Sequence, residues 1–148
     1  MVILFSGRKS TVEREIIEIL CKYGANYISD KAVSAGDGRS TIISEYKKTD
    51  INLKNGIAVF IDDTDRFENQ VFPDGITGIC EDKNITALGI FKASGIPVIS
   101  CGMSAKNTVT LSSLGSGSLL ASLQRTVTDL SGGEVEPGEF KIRLTKPY

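Results

Sequence analysis

Apolar and polar positions follow two different rules along this chain. Up to about residue 104, short unbroken apolar runs alternate with stretches of helical periodicity. Val2–Phe5, Ile57–Ile61 and Ile96–Ser100 are such runs, with Pro97 near the start of the last. Runs of this kind predict strands covered on both faces, and we place these three at the centre of a sheet. Between the first two, Val12, Ile16, Ile17, Ile19 and Leu20 recur at helical spacing. They predict an amphipathic helix capped by Ser10 or Thr11, with Glu13 in the capping-box position and Gly24 as the stop. Asn84–Ser94 predicts a second helix, with Ala87, Leu88 and Phe91 on one face and Gly95 at its end. Asn26–Ser29, Thr41–Tyr46 and Ile76–Cys80 are further strand candidates. Lys31–Arg39 reads as a turn around Gly36-Asp37-Gly38, and Thr64–Gly75 as irregular.

Beyond residue 104 the rule becomes strict alternation. Thr108–Ser113, Leu119–Leu130 and Glu139–Leu144 alternate, and Ser131–Glu134 is a turn. This predicts an antiparallel tail of two or three strands. The whole pattern predicts an α/β fold: a mainly parallel sheet flanked by helices, P-loop or Rossmann-like, with a C-terminal antiparallel extension. We expect one domain over 1–148, with a strand/helix core at 1–104 and a β tail at 105–148.

Composition narrows the chemistry. The chain has 148 residues, 41% apolar and 24% charged, with a net charge of −1. That balance offers no electrostatic case for nucleic acid or an anionic membrane as partner. No apolar run approaches the ~18 residues of a membrane span. No basic segment leads into a long apolar one, so no secretion signal is read. Cys21, Cys80 and Cys101 are odd in number and widely spaced, as in reduced thiols of a cytoplasmic protein. The absence of histidine removes His-based triads, His metal ligands and the commonest general base.

What remains is a loop and three acids. Ser6-Gly7-Arg8-Lys9-Ser10-Thr11 joins the first strand to the first helix. Gly7 allows close backbone approach, Lys9 can meet a phosphate charge, and Ser10 or Thr11 can reach Mg²⁺. Arg8 stands where a glycine should precede the lysine, and the loop is about two residues short of a wrapping phosphate cradle. The plainer reading is a strand-to-helix turn with a capping serine, whose helix N-terminus still favours an anion. Asp62 and Asp63 end the strongest apolar run, where an acid can hold Mg²⁺ through water. They should lie on the same rim as the loop, although strands also end on Asp because Asp starts turns. Asp82 either caps the second helix or touches a nucleotide. Cys101 reads as a packed small residue, not a nucleophile.

With these elements in order, Val2–Leu20 resembles the opening of the central ATPase domain of the Mur ligase family. There a strand leads through Thr-Gly-Thr-Asn-Gly-Lys-Thr-Thr into a helix. Ser6-Gly7 and Lys9-Ser10-Thr11 match its ends, and Arg8 replaces its middle. Ile79-Cys80-Glu81-Asp82-Lys83 is similar to the family's Asn-x-Asp-Asp-Pro segment, and Ser100-Cys101-Gly102 to its Thr-Tyr-Gly strand end. The resemblance implies a nucleotide-binding ancestry, with Ser6 to Thr11 on phosphate and Asp82 near the nucleotide.

Three functions follow as expectations. The first is a weak, Mg²⁺-dependent nucleotide or phosphate binder without efficient catalysis. The second is a non-catalytic assembly module that pairs with further copies of itself through its C-terminal strands. The third, an ATP-dependent ligase, ranks last. The loop is short, histidine is absent, and the family's flanking substrate domains do not lie within these 148 residues.

Overall fold

The first strand, β1 (Val2–Phe5), is buried along its whole length. In the computed structural model, which describes residues 1–7, 10–62, 65–115 and 118–143, it lies between two parallel neighbours. On one side is β4 (Thr41–Glu45), followed by β2 (Asn26–Ile28) and the short β3 (Val33–Ser34). On the other side are β5 (Gly56–Phe60) and β6 (Ile76–Glu81). Only β2 and β3 pair antiparallel here. The expected α/β architecture with a mainly parallel sheet is therefore present. The chain divides into two compact units, Met1–Cys80 with Asn84–Val98, and Glu81–Lys83 with Ile99–Tyr148.

In the first unit, alternation along the strands separates two faces. Ile3, Phe5, Ala58, Phe60 and Cys80 point into an aromatic core with Phe67, Phe72 and Phe91. Phe5 stacks on Phe60 at 4.7 Å, and Phe67 and Phe91 meet Phe60 edge-on at 5.4 and 5.3 Å. Offset and edge-on pairs are the favoured aromatic geometries, and this cluster dominates the unit's apolar burial. The second helix, α2 (Ile85–Ser94), supplies Ala87, Ile90 and Phe91, and Gly95 closes it in the left-handed conformation. The segment read as irregular carries a single 3-10 turn, Asp65–Phe67, which delivers Phe67 to the core.

The opposite face holds Leu4 and Ser44, register partners on β1 and β4, and is served by α1 (Thr11–Lys22). Two helix expectations need correction. Val12 and Ile19, placed on the apolar face by spacing, are 54% and 53% exposed. The inward stripe is Glu13, Ile16, Ile17 and Leu20, a true i, i+3, i+4, i+7 set in which the first member is an acid. Asp82 does not cap α2. Asn84 does so, its side chain accepting from the Ala87 amide at 2.9 Å. Ile57 and Val59 are half-buried, so β5 is less fully covered on this face than its apolar run implies.

In the second unit, β7 (Val98–Gly102) pairs parallel with β8 (Val109–Gly115). From there pairing is antiparallel, through β9 (Ser118–Leu123) to β12 (Gly138–Arg143). β10 (Val127–Thr128) and β11 (Glu134–Val135) form a separate two-stranded ribbon. Among the described residues the tail thus has five strands where two or three were expected. Leu119–Leu130 is not one strand, because the chain leaves β9 after Leu123 and turns at Asp129, whose carboxylate accepts from the Ser131 and Gly133 amides.

Candidate functional site

The loop that opens the chain leaves β1 toward the α1 face, and the segment after β5 leaves toward the aromatic face. The C-terminal ends of two adjacent parallel strands whose connections diverge in this way are the usual ligand position in open α/β sheets. Ser6, Gly7 and Asp62 meet there. The expectation that Asp62 shares a rim with the loop holds, since Phe5 and Phe60 are register partners one and two residues upstream. Arg8, Lys9 and Asp63 lie outside the described residues, as do Thr64 and Leu144.

The donors of Ser6 and Gly7 already have partners within the chain, the Ser6 amide donating to the Glu45 carbonyl at 3.3 Å. The Gly7 amide donates to Asp62 Oδ2 at 2.7 Å. The fully buried Ser6 hydroxyl donates to Glu13 Oε2, also at 2.7 Å. Ser10 is the N-cap of α1, and its hydroxyl accepts from the Glu13 amide at 3.3 Å. The capping box is left open on one side, because the Glu13 carboxylate turns back to Ser6. Thr11 is the first helical residue and is exposed. Asn84 ties the same rim to the second helix, its side-chain amide donating to the Asp62 carbonyl at 3.2 Å.

Glu13 is the residue that sequence reading undervalued. It is 4% exposed, and its Oε1, like the Ser44 hydroxyl, is buried with no hydrogen-bond partner among the described residues. Its charge also reaches the Tyr46 phenol, whose pKa is pushed up to about 12, first by burial and then by the Glu13 carboxylate. Beside this cluster, a cleft of about 630 Å³ opens at the ends of β2 and β4. Asp30, Glu45, Lys47 and Arg66 line it with both signs of charge. Burial raises the Glu45 carboxyl above its ordinary range, against the pull of Lys47.

Asp82 belongs to the second unit. Its carboxylate accepts from the Asn107 side-chain amide at 2.7 Å, and its own amide donates to the Cys101 carbonyl at 2.8 Å. A side chain at Gly102 would collide with both partners, at 2.5 Å from each, so glycine is the residue that admits this crossing. Burial, then Asp82 and Glu81, raise the Cys101 thiol pKa. That disfavours the thiolate a nucleophile needs. None of Cys21, Cys80 and Cys101 is in a disulfide.

No protein-family model matches this chain, and no curated protein matches it. Among the described residues, no group of three or more Cys, Asp or Glu side chains is gathered to hold a metal ion. No helix there is long and apolar enough to cross a membrane.

Proposed function

We propose that this chain is a non-catalytic assembly module on a Mur-ligase-like α/β plan, whose opening loop acts as a structural turn. The observation that carries the reading is that the donors at the start of that loop are already taken: Gly7 donates to Asp62 and Ser6 to Glu13. A phosphate at the Gly7 amide would displace a carboxylate and then face its charge. That repulsion is about 1 kcal/mol at 4 Å in water and about 4 kcal/mol at a protein-surface dielectric. Three cysteines outside any disulfide suit a reducing, cytoplasmic compartment.

A weak, Mg²⁺-dependent nucleotide or phosphate site is the second reading. The divergence of the connections after β1 and β5, with Asp62 at the strand ends, favours it. There Asp62 and Asp63 would hold the cation through water, and the cation would neutralise the carboxylate that otherwise repels phosphate. Calorimetry with ATP and ADP at millimolar concentration, with and without Mg²⁺, separates the two. The module reading expects no binding heat under either condition. Heat that requires Mg²⁺ and disappears in Lys9→Ala would replace it with the nucleotide reading.

A further inference from the structure

The terminal strand of the second unit is built unlike the rest of the molecule. β12 takes its hydrogen bonds from β9 alone among the described residues, from Gly138↔Leu123 to Arg143↔Ser118. Alternate backbone N–H and C=O groups therefore face away from β9 without a strand to meet them. Its side chains sort by face. Phe140 and Ile142, 48% and 47% exposed, share one face with their partners Ala121 and Leu119. Glu139, Lys141 and Arg143 share the other. A lone lysine on an edge ordinarily discourages a second strand. Here an acid stands two residues away on the same face.

Directly opposed residues in an antiparallel pair lie on the same face, so a strand meeting its own copy has few usable registers. Centring on Glu139 opposes two glutamates. Centring on Lys141 opposes Glu139 with Arg143 twice but sets two lysines against each other at the axis, and centring on Ile142 opposes Lys141 with Arg143 twice. Centring on Phe140 opposes Glu139 with Lys141 twice and Phe140 with Phe140. It also sets Ile142 against Gly138, where a β-carbon would find only the Glu136 carbonyl, 4.0 Å away, so the space is open.

We infer that β12 is a self-pairing edge: two copies of this chain join antiparallel through it, about a two-fold axis at Phe140. This rests on the assembly reading above and narrows it to one strand and one register. The interface is isologous, so each Glu139 meets the other copy's Lys141 and the exposed Phe140 rings cover each other. Every charge contact is made twice, which makes the register sensitive to a single reversal.

Sedimentation velocity over a concentration series tests it, with circular dichroism confirming that each variant is folded. The wild type is expected to be a dimer. Glu139→Lys and Lys141→Glu each turn both opposite-charge contacts into like-charge ones, and each should weaken the dimer about tenfold or more. An equimolar mixture of the two variants should recover it, because every contact in the mixed pair is again of opposite sign. The double variant Glu139→Lys with Lys141→Glu should recover it alone. Assembly indifferent to both reversals would overturn the β12 register and leave the module reading standing. A wild type that stays monomeric at millimolar concentration would overturn the pairing, and the nucleotide calorimetry would then decide the module reading by itself.

Discussion

The opening loop and the last strand present backbone and polar groups at opposite ends of the chain, and they treat them differently. At Ser6-Gly7 each described donor is answered from within: Asp62 takes the amide, Glu13 the hydroxyl, and Ser10 closes the first turn of α1. At β12 one edge is answered by β9 and the other faces outward, with two half-exposed apolar side chains beside it. A saturated polar site has little left to offer a ligand, because a newcomer must replace bonds of equal quality. An open strand edge has a full row of bonds still to make. At Ser6-Gly7, where the sequence pattern suggests chemistry, the donors are taken, and at β12, where it suggests only a strand, one edge has no partner strand among the described residues.

That contrast breaks most severely if the support of the closed site is removed. Phe5 ends β1 just before Ser6 and touches Phe60, Phe67 and Phe72. Phe5→Ala should cost about 3–5 kcal/mol through lost transfer energy and the cavity left behind. Chemical denaturation checks this, and a loss under about 1 kcal/mol would mean that the aromatic cluster does not hold the rim.

A smaller change tests the closure itself. Glu13→Ala strands the buried Ser6 hydroxyl and should cost about 1–3 kcal/mol. It should also lower the Tyr46 pKa from about 12 toward its ordinary value of 10.0, without reaching it, since burial is the larger cause. Ultraviolet titration of the phenols reads this directly. The linkage has a definite sign. Folded Tyr46 holds its proton more tightly than the unfolded chain does, so its contribution to stability is full below pH 10.0 and is lost as pH rises through about 12. A Tyr46 titration unchanged in Glu13→Ala would detach the phenol from the closed site.

The mildest change is at the cap. Ser10→Ala removes the acceptor for the Glu13 amide and should cost about 1 kcal/mol by denaturation, with no effect on the oligomeric state. An oligomer that weakens in this variant would show the closed loop and the open strand to be coupled, and the comparison would need another basis.

Much of the frame was legible in the pattern. Four consecutive apolar residues at Val2–Phe5 have few soluble solutions other than a covered strand. Gly95 marked the end of α2 because a left-handed residue there favours glycine. The inward position of Glu13 was compatible with the spacing, since 13, 16, 17 and 20 form a helical stripe as narrow as the all-apolar 12, 16, 19 and 20. Hydrophobicity alone hid it, because an acid is not ordinarily counted toward a buried face.

Other features had no local signal. Asn84 and Asp82 are both competent caps, and the backbone chose between them only where the strand ended and the helix began. β3, β10 and β11 are two residues each and exist because a partner lies opposite, as Val33 does to Ile28 and Val135 to Val127. The parallel pairing of β7 with β8 cannot be read from alternation, which is the same for either direction. By itself the sequence determined the short apolar strands and the two helices of the first unit, because burial and backbone geometry act on neighbours along the chain, whereas the long alternation of Leu119–Leu130 did not show where β9 ends. Only the tertiary structure decided which polar groups answer one another: Gly7 and Asp62 are 55 residues apart, and a hydrogen bond depends on distance in space.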